Sequence, residues 1–287
     1  MRYRLKLQVD HDFGSILPLN YQLEVSRLMY EIITDDGYKF KQWLKDNELP
    51  IRNSSPFFNF SNIIVLDRKI YGDRMLILSD TIELTLSFLY DNFTDELVYY
   101  AFDNLVIRLG DEVSKLRLKV VGIEKLPYPK FYDSMQFVAR SPIVLKHYEN
   151  TKYVRFLAPN EPGYNDLFTK NLIDKYESYT GERMDDQNIF TSIEPITEPK
   201  SKLLGINGRQ KELIKGYLFR FSANAPRKLL EVGYKIGFGD KNSLGFGFCD
   251  VLFSTEKKLT PTLSKQESSE VSSVVEPETE VEHPEEV

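Results

Sequence analysis

The chain has 287 residues, 41% of them hydrophobic, which is enough for one large domain or two domains of ordinary size. Its single cysteine, Cys249, excludes an internal disulfide and a cysteine-rich zinc site. Neither an apolar run of membrane-spanning length nor a signal-peptide pattern is present, so we expect a cytoplasmic protein without a membrane partner.

The net charge of −6 is unevenly distributed along the chain. Residues 256–287 hold nine acidic and three basic residues, so the rest of the chain is neutral overall. Within that rest, residues 200–241 hold ten Lys or Arg against three Asp or Glu. Such a concentrated basic segment is compatible with a polyanionic partner. The C-terminal segment is rich in Ser, Glu and Pro and has no aromatic residue, which predicts a disordered acidic tail.

The first half of the chain predicts a strand, a helix, further strands, a second helix and a last strand. Residues 2–9 alternate between apolar and mostly basic side chains, as in a half-buried strand. Apolar residues at helical spacing from Tyr21 predict a helix that ends before Asp35-Asp36-Gly37. Further strands are predicted at 57–65, 75–79 and 115–122, with a helix near 80–92.

The second half repeats this order. The predicted elements are a strand at 136–144, a helix at 164–180, a hairpin turning at Asn207-Gly208, a short helix from Arg227 to about Gly233, and a final strand. Two such repeats favour an α+β protein with two tandem ferredoxin-like (RRM-like) domains. We place these domains at residues 1–133 and 134–255, followed by the acidic tail at 256–287.

A glycine-rich segment, residues 237–247, lies between the short helix and the final strand. Its sequence holds two Gly-Phe-Gly triplets, and so many glycines make an ordered backbone entropically costly. The spacing matches neither the dinucleotide-binding fingerprint nor the P-loop. Two interpretations remain: a loop whose N–H groups bind an anion, or a hairpin whose phenylalanines pack into a core. We call residues 237–247 the glycine loop.

Together with three upstream segments, this loop resembles a known family. Residues 233–247 resemble the C-terminal signature of the CRISPR-associated repeat-RNA endoribonucleases, the Cas-six family of the RAMP superfamily. The similar upstream segments, in the expected order, are Leu17-Pro18-Leu19-Asn20-Tyr21-Gln22 leading to Leu28-Met29-Tyr30, then Phe57-Phe58-Asn59-Phe60-Ser61, then Ser141-Pro142-Ile143. The resemblance spans roughly residues 1–253.

The resemblance implies a metal-independent endoribonuclease, without a cofactor, that cuts the repeats of precursor CRISPR RNA and keeps the product. In this reaction the ribose 2′-OH attacks the adjacent phosphate and leaves a 2′,3′-cyclic phosphate and a 5′-OH. The chemistry needs a base, an acid and cations for the developing charge. CRISPR repeat RNA is the implied partner, with other CRISPR effector subunits and a second copy of the chain as further partners.

Family members commonly supply a tyrosine, a histidine and a lysine to this reaction. Tyr30 matches the tyrosine, Lys45 stands at the histidine position, and Arg52 is the cation nearest to the lysine position. These three are the candidate catalytic residues. Because the histidine is replaced, two alternatives stay open: a non-catalytic RNA-binding member of the family, and a backbone subunit of an RNA-guided complex.

RNA binding is the role that the resemblance implies for the glycine loop and its neighbours. The candidate RNA-binding residues are Lys235, Gly237, Gly239, Lys241, Asn242, Ser243, Gly245, Gly247, Arg209, Lys211, Arg227 and Lys228. Each contact to a phosphate is expected to make the affinity depend on salt. On this interpretation, Gly245→Asp is expected to weaken RNA binding strongly.

Overall fold

The computed structural model describes residues 1–34, 57–89, 95–150, 153–184, 191–207 and 211–254. The predicted acidic tail at 256–287 lies outside these residues. No helix in the described ranges has the length and apolar character needed to cross a membrane.

A five-stranded antiparallel sheet forms the first half of the chain. The elements are β1 (Arg2–Val9), β2 (Ile16–Pro18), α1 (Gln22–Thr34), β3 (Phe58–Phe60), β4 (Arg68–Tyr71), β5 (Arg74–Ile77), β6 (Thr81–Phe88), α2 (Asp95–Phe102), β7 (Val106–Gly110) and β8 (Lys115–Lys125). The main sheet has the strand order β3-β6-β1-β8-β7, and β2, β5 and β4 form a small separate sheet. The order β3-β6-β1-β8, with a helix after β1 and another after β6, is the ferredoxin-like arrangement.

A four-stranded sheet repeats this arrangement in the second half. The elements are β9 (Ser134–Ala139), β10 (Lys146–Asn150), β11 (Tyr153–Phe156), α3 (Tyr164–Thr180), β12 (Ser192–Pro195), β13 (Lys200–Asn207), β14 (Lys211–Leu218), β15 (Arg220–Asn224), α4 (Arg227–Ile236) and β16 (Cys249–Ser254). The sheet order is β12-β15-β9-β16, while β10–β11 and β13–β14 are two-stranded hairpins. The predicted fold class is confirmed, and the domain boundary at residue 133 stays a prediction.

The alternating burial of β1 follows its sequence. Tyr3, Leu5 and Leu7 are buried in the core, whereas Lys6 and Gln8 are exposed. On α1, residues at helical spacing, such as Val25 and Met29, bury against the same core. Amphipathic patterns therefore fix both elements locally.

The helix predicted near residues 80–92 is wrong. Thr81–Phe88 forms β6, which lies between β1 and β3 in the sheet. Ile82, Leu84 and Leu86 are buried at every second position, and the small Ser87 between two of the apolar residues is buried as well. The sequence Thr-Ile-Glu-Leu-Thr-Leu-Ser-Phe alternates polar and apolar residues, so the period of two that is typical of a strand is present, and a helix over these residues would spread the apolar side chains around its axis.

Arg2 of β1 contacts α4, β16 and the residue before β16 in the second half of the chain. Its guanidinium is 3% exposed and lies 3.5 Å from the ring centroid of Tyr234 and 4.0 Å from that of Phe248. It donates hydrogen bonds to the carbonyl oxygen of Cys249 at 2.7 Å and to Asp250 Oδ1 at 3.0 Å. Burial lowers the pKa of Arg2, and the nearby carboxylate of Asp250 opposes that shift. The two sheets are thus joined by hydrogen bonds as well as by apolar contact.

Candidate nucleic-acid interface

The glycine loop packs against β3, so two of the segments that carried the family resemblance touch in space. Asn59 Nδ2 donates to the carbonyl oxygen of Phe246 at 3.2 Å, and Asn242 Nδ2 donates to the same oxygen at 2.9 Å. Ser87 Oγ on β6 donates to the carbonyl oxygen of Lys235, just before the loop, at 2.6 Å. The loop is therefore fixed to the first sheet by named polar contacts.

Phenylalanines of the loop belong to the core. Phe238, Phe246 and the adjacent Phe248 are each at most 2% exposed. The ring of Phe238 stacks on Phe168 of α3, with centroids 5.6 Å apart. The interpretation that these rings pack into a core is confirmed.

Glycines of the loop are required by both backbone conformation and space. Gly239, Gly245 and Gly247 have φ values of +73°, +76° and +70°, in the left-handed region. A Cβ added to Gly245 would lie 2.4 Å from the ring of Phe60, and one on Gly247 would lie 1.8 Å from the carbonyl oxygen of Phe238. Gly245→Asp therefore disturbs packing directly and does not isolate an RNA contact.

Several N–H groups of the loop already have acceptors within the protein. The N–H of Phe238 donates to the carbonyl oxygen of Gly247 at 2.9 Å, and that of Asp240 donates to Val144 at 2.7 Å. The N–H groups of Gly245 and Gly247 also bond to backbone carbonyls. These four N–H groups are therefore not available to an anion.

Lys175 of α3 holds the loop from its inner side. Its Nζ donates to the carbonyl oxygen of Gly237 at 2.7 Å and to that of Gly239. Burial lowers the pKa of Lys175 to about 7, against the opposing attraction of Asp240. A neutral amine still carries two N–H donors, so both carbonyls remain satisfied after deprotonation. The sequence does not reveal Lys175 as a contact of the glycine loop, because α3 is far from the loop along the chain.

The free energy of unfolding of the wild type is expected to rise with pH above neutrality because of Lys175, and Lys175→Met should abolish this rise. The pKa is about 7 in the folded chain against an ordinary value of 10.5, so between these values only the unfolded chain binds the extra proton. The free energy of unfolding of the wild type should then rise, relative to the variant, by up to about 1.4 kcal/mol per pH unit. Below pH 7 the difference should be constant. Urea unfolding of both proteins at pH 6, 7.5 and 9 measures it, and a constant difference throughout would contradict the assignment.

A cavity of about 410 Å³ opens beside the loop, between α3 and β10. Lys241, a predicted RNA-binding residue, lines it together with Lys146 and Lys170, which the sequence analysis missed. Tyr148, an aromatic side chain that is 64% exposed, lines the same cavity. The charge distribution along the chain does not single out Lys146 and Lys170, because neither belongs to the basic segment at 200–241. We call this cavity the lysine groove.

Other predicted RNA-binding residues lie elsewhere. Lys235 is buried and pairs with Glu231 at 2.9 Å. Arg227 and Lys228 begin α4, about 15 Å along its axis from the loop, and Lys228 Nζ donates to the hydroxyl of Tyr176 at 3.2 Å. The remaining predicted residues are Asn242, which is buried, Ser243, which is half-buried, Lys211, whose backbone lies in β14, and Arg209, which lies outside the described residues.

Tyr30 is the candidate catalytic residue that the structure describes. It lies on α1, is 44% exposed, and its ring packs edge-to-face against Phe58 of β3 at a centroid distance of 5.3 Å. Its neighbour β3 is also the strand that contacts the glycine loop. Lys45 and Arg52 lie outside the described residues. Among the described residues, no group of three or more His, Cys, Asp or Glu side chains could hold a metal ion.

Comparison with known proteins identifies relatives along most of the chain. Residues 126–251 match the family described as CRISPR associated protein Cas6, C-terminal. A putative CRISPR-associated endoribonuclease-like protein, Cas6nc, from Pyrococcus horikoshii is 27% identical over 259 residues, covering 88% of this chain and all of that protein. The CRISPR-associated endoribonuclease Cas6 1 of Methanocaldococcus jannaschii is 25% identical over 251 residues, covering 86% of this chain and 91% of that protein.

Solved structures agree with these sequence matches. A structure described as an RAMP protein binding different RNA substrates has a TM-score of 0.71 and 27% identity, covering 88% of this chain and all of that one. A Cas6-related protein from Pyrococcus furiosus, at 24% identity, shares the fold with a TM-score of 0.73, covering 89% of this chain and 99% of that one. In sequence and fold, the chain is therefore similar to Cas6 proteins over most of its length, and its second half matches the Cas6 family model.

Proposed function

We propose that this protein is a metal-independent endoribonuclease that cleaves the repeats of precursor CRISPR RNA in the cytoplasm and keeps the product. The observation that carries the proposal is the position of Tyr30, whose half-exposed ring stands on β3 where the glycine loop is anchored. Relatives named as CRISPR-associated endoribonucleases support it.

The proposed reaction is attack by the ribose 2′-OH on the adjacent phosphate, which breaks the bond to the 5′ oxygen. Tyr30 and Lys45 together carry out the two proton transfers, one that removes the proton of the 2′-OH and one that protonates the leaving 5′ oxygen. Arg52 stabilises the charge on the phosphate. The products are a 2′,3′-cyclic phosphate and a 5′-OH. Other CRISPR effector subunits and a second copy of the chain are the further proposed partners.

Incubation with the repeat RNA of the CRISPR array in the same genome, in EDTA, tests the proposal. We expect cleavage that leaves a cyclic phosphate and that a 2′-deoxy substitution at the cut site abolishes. Binding without product after a long single-turnover incubation would instead identify a non-catalytic RNA-binding protein. Lys45 stands where family members commonly have a histidine, so binding without cleavage is the alternative that this experiment has to distinguish.

We further propose that the lysine groove holds RNA phosphates beside the glycine loop. Lys146, Lys170 and Lys241 supply positive charge around one cavity, and exposed Tyr148 offers a ring on which a base can stack. Two carboxylates, Asp174 and Asp240, also line the groove. Asp240 accepts hydrogen bonds from the side chain of Asn171 at 2.9 Å and from the backbone of Lys146 at 2.8 Å, so it is part of the framework of the groove.

Changing Lys170 and Lys241 together to alanine is expected to weaken binding of repeat RNA about tenfold at low salt. Each lost phosphate contact should reduce the slope of log affinity against log salt by about 0.7 for single-stranded RNA. Fluorescence anisotropy across a salt series measures both effects. Lys119→Ala, which removes an exposed lysine on β8 outside this groove, is the control. An unchanged salt slope in the double variant would exclude the lysine groove from the RNA path.

A further inference from the structure

A second groove, of about 560 Å³, lies at the beginning of α1. It is bounded by the loop after β3, by the small sheet and by the β13–β14 hairpin. Its apolar lining includes Ile63, Ile64, Ile70, Met75, Leu204 and Leu218. Ile64 and Ile70 are each about half exposed, so apolar surface faces solvent here.

Gln22 is a buried polar residue in the lining of this groove. The residue is 6% exposed, and its Oε1 accepts no hydrogen bond from the described part of the chain. A buried acceptor without a donor destabilises a folded protein, and native structures contain few of them. Such an acceptor is explained when a ligand supplies the donor.

Among the described residues, the charged side chains that line the groove are all basic. They are Arg68 and Lys202, and none of the described lining residues is an Asp or a Glu. Lys202 is exposed on β13, whereas the Arg68 guanidinium is anchored by donating to the carbonyl oxygen of Val65. An apolar cleft with cations at its side and a buried amide suits an unpaired nucleobase with its phosphate, because the base buries its faces and offers polar groups at its edge.

We propose that this groove selects one unpaired RNA base that carries an exocyclic amino group. The inference rests on the proposed function, since it assumes an RNA ligand. When a base enters, the Gln22 amide turns toward the groove and its Oε1 accepts a hydrogen bond from the amino group of adenine or cytosine. The apolar walls cover the base, and Lys202 contacts its phosphate. Gln22 and Tyr30 lie on the same helix, about 12 Å apart along its axis. One RNA strand can therefore occupy the groove and reach the proposed cleavage site.

Binding of three fluorescent single-stranded RNAs tests the inference: 12-nucleotide homopolymers of adenosine, cytidine and uridine. We expect the wild type to bind the adenosine or the cytidine polymer about tenfold more tightly than the uridine polymer. Purine riboside in place of adenosine, or pyrimidin-2-one riboside in place of cytidine, removes the amino group and should remove the preference.

Gln22→Leu should remove the preference and leave the fold intact. Because leucine has a similar size and no unsatisfied acceptor, the melting temperature of the variant should be equal or higher. Gln8→Leu, the same change at an exposed position of β1, is the control and should keep the preference. Lys202→Ala should weaken all three polymers equally, as expected for a phosphate contact.

Equal binding of the three polymers by the wild type, or a preference that survives in Gln22→Leu, would overturn the inference while leaving RNA cleavage untouched. Conversely, a preference that depends on Gln22 without any cleavage of repeat RNA would support the groove and contradict the proposed reaction. Absence of binding to every RNA would overturn both.

Discussion

Gly247→Ala should destabilise the folded protein by about 4 kcal/mol or more, and much of the chain is expected to be unfolded at 37 °C. The new Cβ would lie 1.8 Å from the carbonyl oxygen of Phe238, which is backbone and cannot move aside as a side chain end can. The N–H of Phe238 also donates to the carbonyl oxygen of Gly247, so the two ends of the loop cannot separate without losing this hydrogen bond. The positive φ of +70° adds strain for any L side chain.

Gly72→Ala is the matched control for Gly247→Ala. Gly72 also has a positive φ, +59°, but a Cβ there meets no described heavy atom within 4 Å. Its cost should therefore be that of the left-handed backbone alone, about 1–2 kcal/mol. Urea unfolding followed by circular dichroism measures both variants. Equal losses would mean that the close approach at Gly247 relaxes without cost.

RNA binding by the glycine loop has to be tested at residues other than its glycines. A substitution at Gly245 or Gly247 removes RNA binding through the fold whether or not the loop touches RNA. Lys241 lines the lysine groove from the loop itself, and its truncation leaves the packing of the glycines in place. The surface lysines therefore give the cleaner measurement.

Fold order could be predicted because its signals are local. The period of two in β1 and the helical spacing of α1 each arise within one element. The predicted hairpin is present as the pair β13–β14, whereas Gly208 of its predicted turn lies outside the described residues. Thr81–Phe88 carries the same local signal, since polar and apolar residues alternate along it, and the helix prediction there does not follow this pattern. What no local pattern shows is that this strand lies between β1 and β3, which are distant along the chain.

The candidate site was predictable only in part for the same reason. Tyr30 and the glycine loop were found through resemblance to a family, and the structure describes both. The contact of Gly245 with Phe60, and the hydrogen bonds from Lys175 to the loop, join residues far apart in sequence. Lys146 and Lys170 reach the lysine groove through folding of α3 against β10, which no charge count along the chain reveals.

Tyr30→Phe should slow single-turnover cleavage of repeat RNA about 10²–10⁴-fold, the usual contribution of a positioned proton donor or acceptor. Phenylalanine retains the ring that packs edge-to-face on Phe58, so neither the helix nor β3 should move. The affinity for RNA should therefore change little. Tyr100→Phe, at an exposed tyrosine of α2, is the control for loss of a hydroxyl elsewhere.

Lys45→Ala completes this test, because the proposed reaction assigns proton transfer to Tyr30 and Lys45 together. If both act in one transition state, the double variant should be little slower than the slower single variant, since residues that act as a unit are strongly non-additive. Multiplying effects would indicate independent roles, such as orientation by one residue and charge stabilisation by the other. Cleavage at the wild-type rate in Tyr30→Phe would remove its hydroxyl from the reaction and leave the ring as support for β3.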